Sequence, residues 1–335
     1  MSKLGYIAKC IRKMNFKGLF DTVSDVHKIS GKNRVFLFFD IVRCGLRYGA
    51  GYKDYRLTEW WTLNGKQRKT YVTRAINNSI VKKCNDPAYY HIINNKIDFN
   101  NYFSEFMGRK WIYLKEASVG DFKEFLDGLE YIIAKPVDES CGRGVEKIKV
   151  SDREPEELYS YLTETSRFLC EDYIIQHPVI SEIYPSSVNT LRIVTIAGED
   201  HVPHVLYAFI RIGNGGRVVD NINAGGMAAP FDLDTGVINN VAFDKDCSYY
   251  DKHPETGKPI VGVQIPLWNE AKELVLSAAR KIPQLGYVGW DVAVTPNGPV
   301  FVEANHHPGH DILQMPAHTP DKIGMLPKFR EYIDI

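Results

Sequence analysis

The feature that most constrains this 335-residue chain lies near its C-terminal end, in VGWDVAVTPNGPVFVEANHHPG at residues 288–309. Two apolar strands, 288–294 and 299–303, are joined by Thr295-Pro296-Asn297-Gly298. Asn-Gly accepts the positive φ that a tight hairpin turn demands, so the pair is expected to fold back on itself. Pairing across the turn draws Asp291 on one strand towards Glu303 and Asn305 at the end of the other. Three oxygen-bearing side chains in one place suit a hard cation such as Mg²⁺, which takes a few carboxylates and is completed by phosphate oxygens and water. The competing account is a pair of exposed strand charges beside a turn. The rest of the chain has to decide between them.

Three further segments bear on that choice. In YIIAKPVDESCGRGVEKI (131–148) an apolar strand delivers Lys135 into a loop carrying Ser140, Gly142 and Gly144. Glycines let backbone N–H groups close over a phosphate, and a strand-end lysine adds a point charge. The order G-x-x-x-x-G-K-[ST] is absent, so this is no Walker A loop. In FLCEDYI (168–174) a buried-looking strand carries two acids, Glu171 among them. Such a strand can offer backbone groups to an adenine and an acid to its amino group. In NTLRIVTI (189–196) and AFIRIGNGGRVVDNINAGGMAAP (208–230), Arg192 and Arg211 fall on strands, and Asp220, Asn221 and Asn223 precede Gly225-Gly226. Guanidinium forks and amides aimed at one point fit a phosphate or carboxylate. Each segment has an ordinary structural explanation when taken alone.

The chain around them changes texture once. Residues 1–20 place Leu4, Ile7, Ile11 and Met14 at helical spacing among Lys3, Lys9, Arg12, Lys13 and Lys17. This predicts a basic amphipathic helix that packs on its own protein or lies on a membrane surface. Residues 34–48 and 66–92 also read as helical. After residue 96, strands at 131–135, 168–174, 190–196 and 202–212 alternate with glycine-rich turns; helical patterns return at 267–281 and 320–334. The expected organisation is a helical lobe at 1–95, a smaller α+β subdomain at 96–175 and a larger one at 176–335.

Charge and composition narrow the class further. Residues 1–110 carry 21 Lys and Arg against 8 Asp and Glu, and residues 111–335 carry 20 against 33. The basic half can meet an anionic partner or the acidic half of its own chain. The expected partners are small molecules and not nucleic acid. No apolar run approaches the ~20 residues needed to span a bilayer. The N-terminus lacks a secretory pattern, and the six cysteines (10, 44, 84, 141, 170, 247) show no C-x-x-C spacing. They read as reduced thiols of a cytoplasmic protein, with contact at the inner membrane face as an added expectation.

The order of the four motif segments over roughly 96–315 resembles the ATP-grasp superfamily. DIVRCGLRYGAGYKDYRLTEWW, IIQHPVI…PSSVNTLRIVT and DNINAGGMAAPFD are similar to phrases of its sugar-transfer-associated branch. The resemblance implies an α+β ATP-grasp fold, with a helical N-terminal lobe, using ATP and Mg²⁺. It implies that Lys96 and Lys135 hold phosphates, that Glu171, Tyr173 and Ile174 surround adenine, and that Asp291, Glu303 and Asn305 hold the metal. Arg192, Arg211 and Asn221 would then steady the transferring group, as in the R…R…N-x-x-x-G-G pattern of glutamate ligases acting on ribosomal protein S6. Asn305-His306-His307-Pro308-Gly309 is similar to the N-x-x-P-G of D-alanine–D-alanine ligases. By that placement Gly309, His310 and Asp311, with Asn223, face the substrates; a loop histidine without catalytic duty is the alternative. The histidines at 306, 307 and 310 lack the one-turn spacing of a helical zinc motif.

Two departures stand out. The expected ribose-binding acid is not evident, since Gln176 and His177 occupy that stretch. Gly289 also stands where D-alanine ligases carry an arginine, so Arg192 or Arg211 would have to replace it. The implied activity is amide formation through an acylphosphate, joining an amino acid to a uronic acid or amino sugar, free or nucleotide- or lipid-linked, in polysaccharide synthesis. The alternative implied activity is a peptide or protein ligase of the glutamate-ligase type.

Overall fold

A computed structural model describes residues 15–138 and 143–335. Most of the expected amphipathic segment at 1–20, and Ser140 and Gly142 of the glycine-rich loop, lie outside the described residues. The chain divides into two compact units, one comprising residues up to Lys83 together with Gly309–Ile335, the other Cys84–Pro308.

The first unit is helical. Asn15 and Asn33 start the helices Phe16–Ser30 and Arg34–Tyr48 by accepting hydrogen bonds from first-turn amides. Gly31 (φ 68°) and Gly49 (φ 67°) end them in the left-handed region that costs glycine least. Leu19, Val23, Val26, Leu37 and Ile41 from these helices pack with Trp60 and Trp61. A buried carboxylate sits in that core. Asp40 receives Arg68 Nη1 and Nη2 at 2.8 and 2.7 Å and the Tyr55 hydroxyl at 2.8 Å.

Two helical expectations need correction here. The stretch 66–92 is broken into the short helices Gly65–Arg68, Arg74–Cys84 and Tyr90–Asn94, with a 3₁₀ turn at Pro87–Tyr89 begun by the Asp86 side chain. The stretch 320–334 keeps only Leu326–Phe329 as α-helix. Its amides are used elsewhere: Leu326 N donates to Thr70 O and Gly324 N to Thr70 Oγ1, both at 2.8 Å. Likewise the Gln314 side chain pairs with both backbone groups of Val72. A periodicity read from sequence cannot see a backbone already spent on a neighbouring segment.

The second unit holds two antiparallel sheets. The smaller runs β1 (Trp111–Tyr113), β4 (Leu169–Asp172), β2 (Tyr131–Lys135), β3 (Glu146–Lys149) in space. The larger runs β11 (Gly298–Asn305), β10 (Tyr287–Thr295), β5 (Leu191–Ala197), β6 (Pro203–Ile212), β7 (Met227–Pro230), β8 (Ala242–Asp244), β9 (Tyr249–Tyr250). The expected strands correspond to β2, β4, β5, β6, β10 and β11, and the α+β class agrees; β1, β3, β7, β8 and β9 are strands that the sequence reading did not place. The helix Trp268–Lys281 buries Ala271, Val275 and Ala278 against β5, β6, β10 and β11. Trp290 packs between Phe103 and Phe301, at ring distances of 5.4 and 5.3 Å. Each such fully buried ring contributes roughly 1.5–3 kcal/mol, which anchors β10 and β11 at the centre of the core. Among the described residues no helix is long and apolar enough to cross a membrane.

Candidate active site

The site grows out of strand register. Side chains alternate across a strand, so directly opposed residues share a face. Asp291 on β10 is opposed by Glu303 on β11 and by Arg192 on β5. Arg192 is opposed in turn by Phe209 on β6, which puts Arg211, two residues on, on the same face. Asn305, two residues beyond Glu303, shares that face as well. Trp290 and Phe301 point the other way into the core. One face of the large sheet thus carries the row Arg211, Arg192, Asp291, Glu303.

The chemistry of that row follows from burial. Asp291 is fully buried and takes Arg192 through both its carboxylate oxygens, Nη2 at 2.8 Å from Oδ2. Arg211 also donates to it. Burial alone would raise the Asp291 carboxyl, but the two guanidinium groups outweigh it and hold the acid down at about 2. Arg211 is buried too, and the Asp220 and Asp291 carboxylates keep it charged against that burial. Glu303 has the opposite fate. Burial, and next the neighbouring Asp291 charge, push its carboxyl up to about 7, with Arg211 offsetting only part of the rise.

Gly289 explains how Arg192 reaches its place. A Cβ on Gly289 would stand 3.1 Å from Arg192 Cδ and 3.3 Å from Nη1. The space beside Asp291 that a side chain at 289 would fill is taken by an arginine from the adjacent strand. Gly226 is equally constrained, since a Cβ there would fall 2.3 Å from Asp220 O. That glycine lets Asp220 accept from Thr190 N at 2.9 Å, which fixes the loop carrying Asn221.

The smaller sheet presents a second charged group. Lys135, at the end of β2, puts Nζ 2.8 Å from Glu171 Oε2 on β4. Arg109 Nη2 approaches the same oxygen at 3.0 Å, and Asn100 Nδ2 donates to Oε1 at 3.2 Å. Burial raises the Glu171 carboxyl, yet Arg109 and Lys135 bring it to about 2. Lys96, capped into the helix Lys96–Tyr102 by Asn95, donates to Val137 O at 2.7 Å. Burial and the nearby Lys135 charge lower the affinity of Lys96 for its proton.

Two recesses adjoin these groups, of about 160 and 250 Å³. They share Lys96, Lys135, Arg211, Asn221, Val302 and Glu303. Beyond that shared wall they differ. The first is lined by Ile133, Val188, Val218 and by Asp172, Tyr173 and Ile174 at and just after the end of β4. The second is lined by Asn94, Phe99, Asn100, Arg192 and Asn305.

The expected residues therefore sort into groups. Lys96, Lys135, Arg211, Asn221 and Glu303 line both recesses, Glu171, Tyr173 and Ile174 the first, Arg192 and Asn305 the second. Glu171 lines the first recess, with Asn100 on its Oε1 and both Arg109 and Lys135 on its Oε2. Asp291 adjoins Glu303 but lines neither recess. Asn223 is exposed and lines neither. Gly144 is exposed with φ 71°, beside Arg143, which lines the first recess. Gly309, His310 and Asp311 belong to the first unit, where His310 Nε2 lies 3.4 Å from Asp54 Oδ1. His306 belongs to the second unit and stacks on Tyr90 at 4.0 Å. Sequence reading missed Arg109, Asn100, Thr190 and Arg143. Arg109 and Asn100 sit in a helical and loop stretch with no motif of their own, and only the fold brings them to Glu171.

The donor set fits a divalent cation. Glu303 is an acid whose proton affinity is raised by burial and next by the Asp291 charge, and a cation held at Glu303 from the recess side would relieve both. Asn305 adds a neutral oxygen; its Oδ1 accepts from His307 N at 2.8 Å and keeps a second lone pair.

The sequence model of the family described as sugar-transfer associated ATP-grasp matches residues 75–322. Among solved structures the chain is similar to D-alanine–D-alanine ligase from Bacillus anthracis, at 16% identity over 81% of this chain and 77% of that one, with a TM-score of 0.43. It is similar to D-alanyl-alanine synthetase A from Vibrio cholerae O1 biovar eltor, at 14% identity over 73% and 62%, with a TM-score of 0.41. It is also similar to the ATP-grasp ligase PsnB, in a complex with a phosphomimetic variant of minimal precursor, Mg and ADP, at 11% identity over 76% and 66%, with a TM-score of 0.42. A search of curated proteins found no match.

Proposed function

The chain belongs to the sugar-transfer-associated ATP-grasp family, and from that premise we propose that it is an ATP-dependent carboxylate–amine ligase. The observation that carries the reading is the pair of recesses meeting at one wall of Lys96, Lys135, Arg211, Asn221 and Glu303. A nucleotide in the first recess and a carboxylate in the second would meet where these charges converge.

In this reading the apolar wall with Tyr173 and Ile174 receives the base, and Lys96 and Lys135 hold the phosphates. Glu171, fixed by Arg109, keeps Lys135 aimed. A carboxylate oxygen attacks the γ-phosphorus as the bond to the β-phosphate oxygen breaks, giving an acylphosphate and ADP. An amine then attacks the acyl carbon, phosphate departs, and the amine proton passes to solvent or phosphate. Arg211 and Asn221 steady the transferring group, with Arg192 directed at the carboxylate. Glu303 and Asn305 would hold Mg²⁺, with Asp291 behind them, and the ion would neutralise charge developing on the phosphates. Positioning and neutralisation supply most of such catalysis, because the protein has little covalent work of its own. Asn223 remains a proposed acceptor contact.

The family description favours a sugar among the substrates, and we propose an amide between an amino acid and a uronic acid or amino sugar in polysaccharide synthesis. The test is substrate-dependent release of ADP and phosphate from Mg²⁺-ATP across uronic acids, amino sugars, amino acids and peptides. Turnover with sugar substrates is expected. Turnover with peptides alone favours the glutamate-ligase type, and release of AMP and pyrophosphate overturns the acylphosphate route.

A further inference from the structure

The first unit carries a face that the ligase reading does not use. At 100° per residue, Val35, Phe36, Phe39, Arg43, Leu46 and Arg47 fall within about 120° of arc on the helix Arg34–Tyr48. All six are exposed, Phe39 at 65% and Val35 at 64%. Their partners across the helix, Leu37, Ile41 and Cys44, fill the core. The face continues onto the neighbouring helix. Phe20, 59% exposed, stacks on Phe38 at 5.9 Å, and Phe38 meets Phe39 edge-on at 5.5 Å. Phe16 stands one turn before Phe20, also more than half exposed. Isolated exposed apolar side chains need no account, but contiguous aromatics do.

Charge completes the face. Its Arg43 and Arg47 end joins Lys66 and Lys69 around one recess with Tyr48, Asn64 and Gly65 and with no acidic residue. None of these four cations has a carboxylate within salt-bridge distance among the described residues. The acid nearest in sequence, Asp40, is buried and matched by Arg68. Asp21 and Asp25 lie roughly 100–180° around their helix from Phe16 and Phe20.

Apolar rings at one end and unmatched cations at the other are the two contacts an anionic bilayer offers partners for: rings enter the interface while arginine and lysine meet lipid phosphates. We propose that this face docks the protein on an anionic membrane surface. The proposal is independent of the nucleotide site. It makes the protein peripheral, held by several modest contacts.

Sedimentation of the full chain with phosphatidylcholine vesicles, with and without phosphatidylglycerol, tests it. Binding is expected only with phosphatidylglycerol and should weaken as salt rises. Arg43→Glu with Arg47→Glu is expected to lower partitioning by about tenfold or more. Phe20→Ser with Phe39→Ser should lower it comparably while leaving thermal unfolding in buffer unchanged. Equal binding to both vesicle types, or no binding, overturns the proposal. A large drop in unfolding temperature for the Phe20, Phe39 variant, with vesicle binding unaffected, assigns the face to cover by the chain's own first residues instead. A dimer in solution that the same variant dissociates assigns it to a second copy.

Discussion

Two buried acid–arginine groups, one in each unit, differ in how completely their charges are matched. In the first unit Asp40 faces a single guanidinium in a two-pronged contact, and the Tyr55 hydroxyl and Cys44 thiol also donate to it. Burial works against that carboxylate, yet Arg68 and Tyr55 hold it below its ordinary range. The group is closed upon itself. In the second unit two carboxylates share two guanidinium groups unevenly. Asp291 takes both arginines, and Glu303 is pushed up to about 7. That group is left with an acid that either a proton shared with Asp291 or a further cation would satisfy. The first group balances its own charge; the second leaves one acid with raised proton affinity, and that acid is the one proposed for the cation.

Breaking the balanced pair should give the largest loss of stability. Arg68→Met leaves Asp40 buried without its cation, at a cost of about 3 kcal/mol in chemical denaturation. Asp40→Asn with Arg68→Met together should recover much of that loss, because the penalty belongs to the unpaired charge. A double variant as unstable as the single one would mean the contact does more than cancel charge.

The unbalanced group should respond the other way. Glu303→Gln is expected to cut turnover at least a hundredfold, measured as ADP release, while the protein stays folded. Mg²⁺ should raise the unfolding temperature of the wild type in the presence of ADP and leave the variant unmoved. An equal shift in both would remove Glu303 from the cation site.

The same contrast has a pH signature within the second unit. Glu303, raised to about 7 from an ordinary 4.5, binds more protons folded than unfolded between those values. Its contribution therefore improves stability as pH falls from 7 to 4.5 and is unfavourable above 7. Glu171, held at about 2, contributes stability above 4.5 that is lost as pH falls towards 2. Urea denaturation between pH 2 and 8 should show a decline as pH rises from 4.5 to 7 that Glu303→Gln removes, on the order of 1 kcal/mol or more. Glu171→Gln should flatten the acid limb instead. A pH profile identical in wild type and Glu303→Gln would mean that the carboxylate is relieved in some other way.

What the sequence made legible follows the same division. The hairpin at 287–305 was readable because its turn residues and its apolar strands both specify local geometry, and Asp291 opposite Glu303 follows from that pairing alone. Strands β2, β5 and β6 were readable for the same reason. The arginine row was visible as residues but not as an arrangement, because the register of β5 on β10 joins positions 99 residues apart. Arg109 and Asn100 carried no local signal; their role exists only where β4 brings Glu171 to them. The C-terminal segment misled for the converse reason. Its spacing suits a helix, but Thr70 takes its amides.

The smallest expected effect is the most specific, and it concerns a residue with no side chain. Gly289 faces Asn305 across the hairpin and sits two residues before Asp291. Gly289→Ala would put a methyl group 3.1 Å from Arg192 Cδ, close enough to displace the guanidinium by a few tenths of an ångström but not to break the strand. Stability should change by less than about 1 kcal/mol, because alanine suits a strand at least as well as glycine and only one flexible side chain must yield. Turnover should fall by about tenfold, with the loss appearing in the KM for the carboxylate and not in that for ATP. Arg192 lines the second recess and not the first, so an effect confined to ATP would show that the two recesses are assigned the wrong way round.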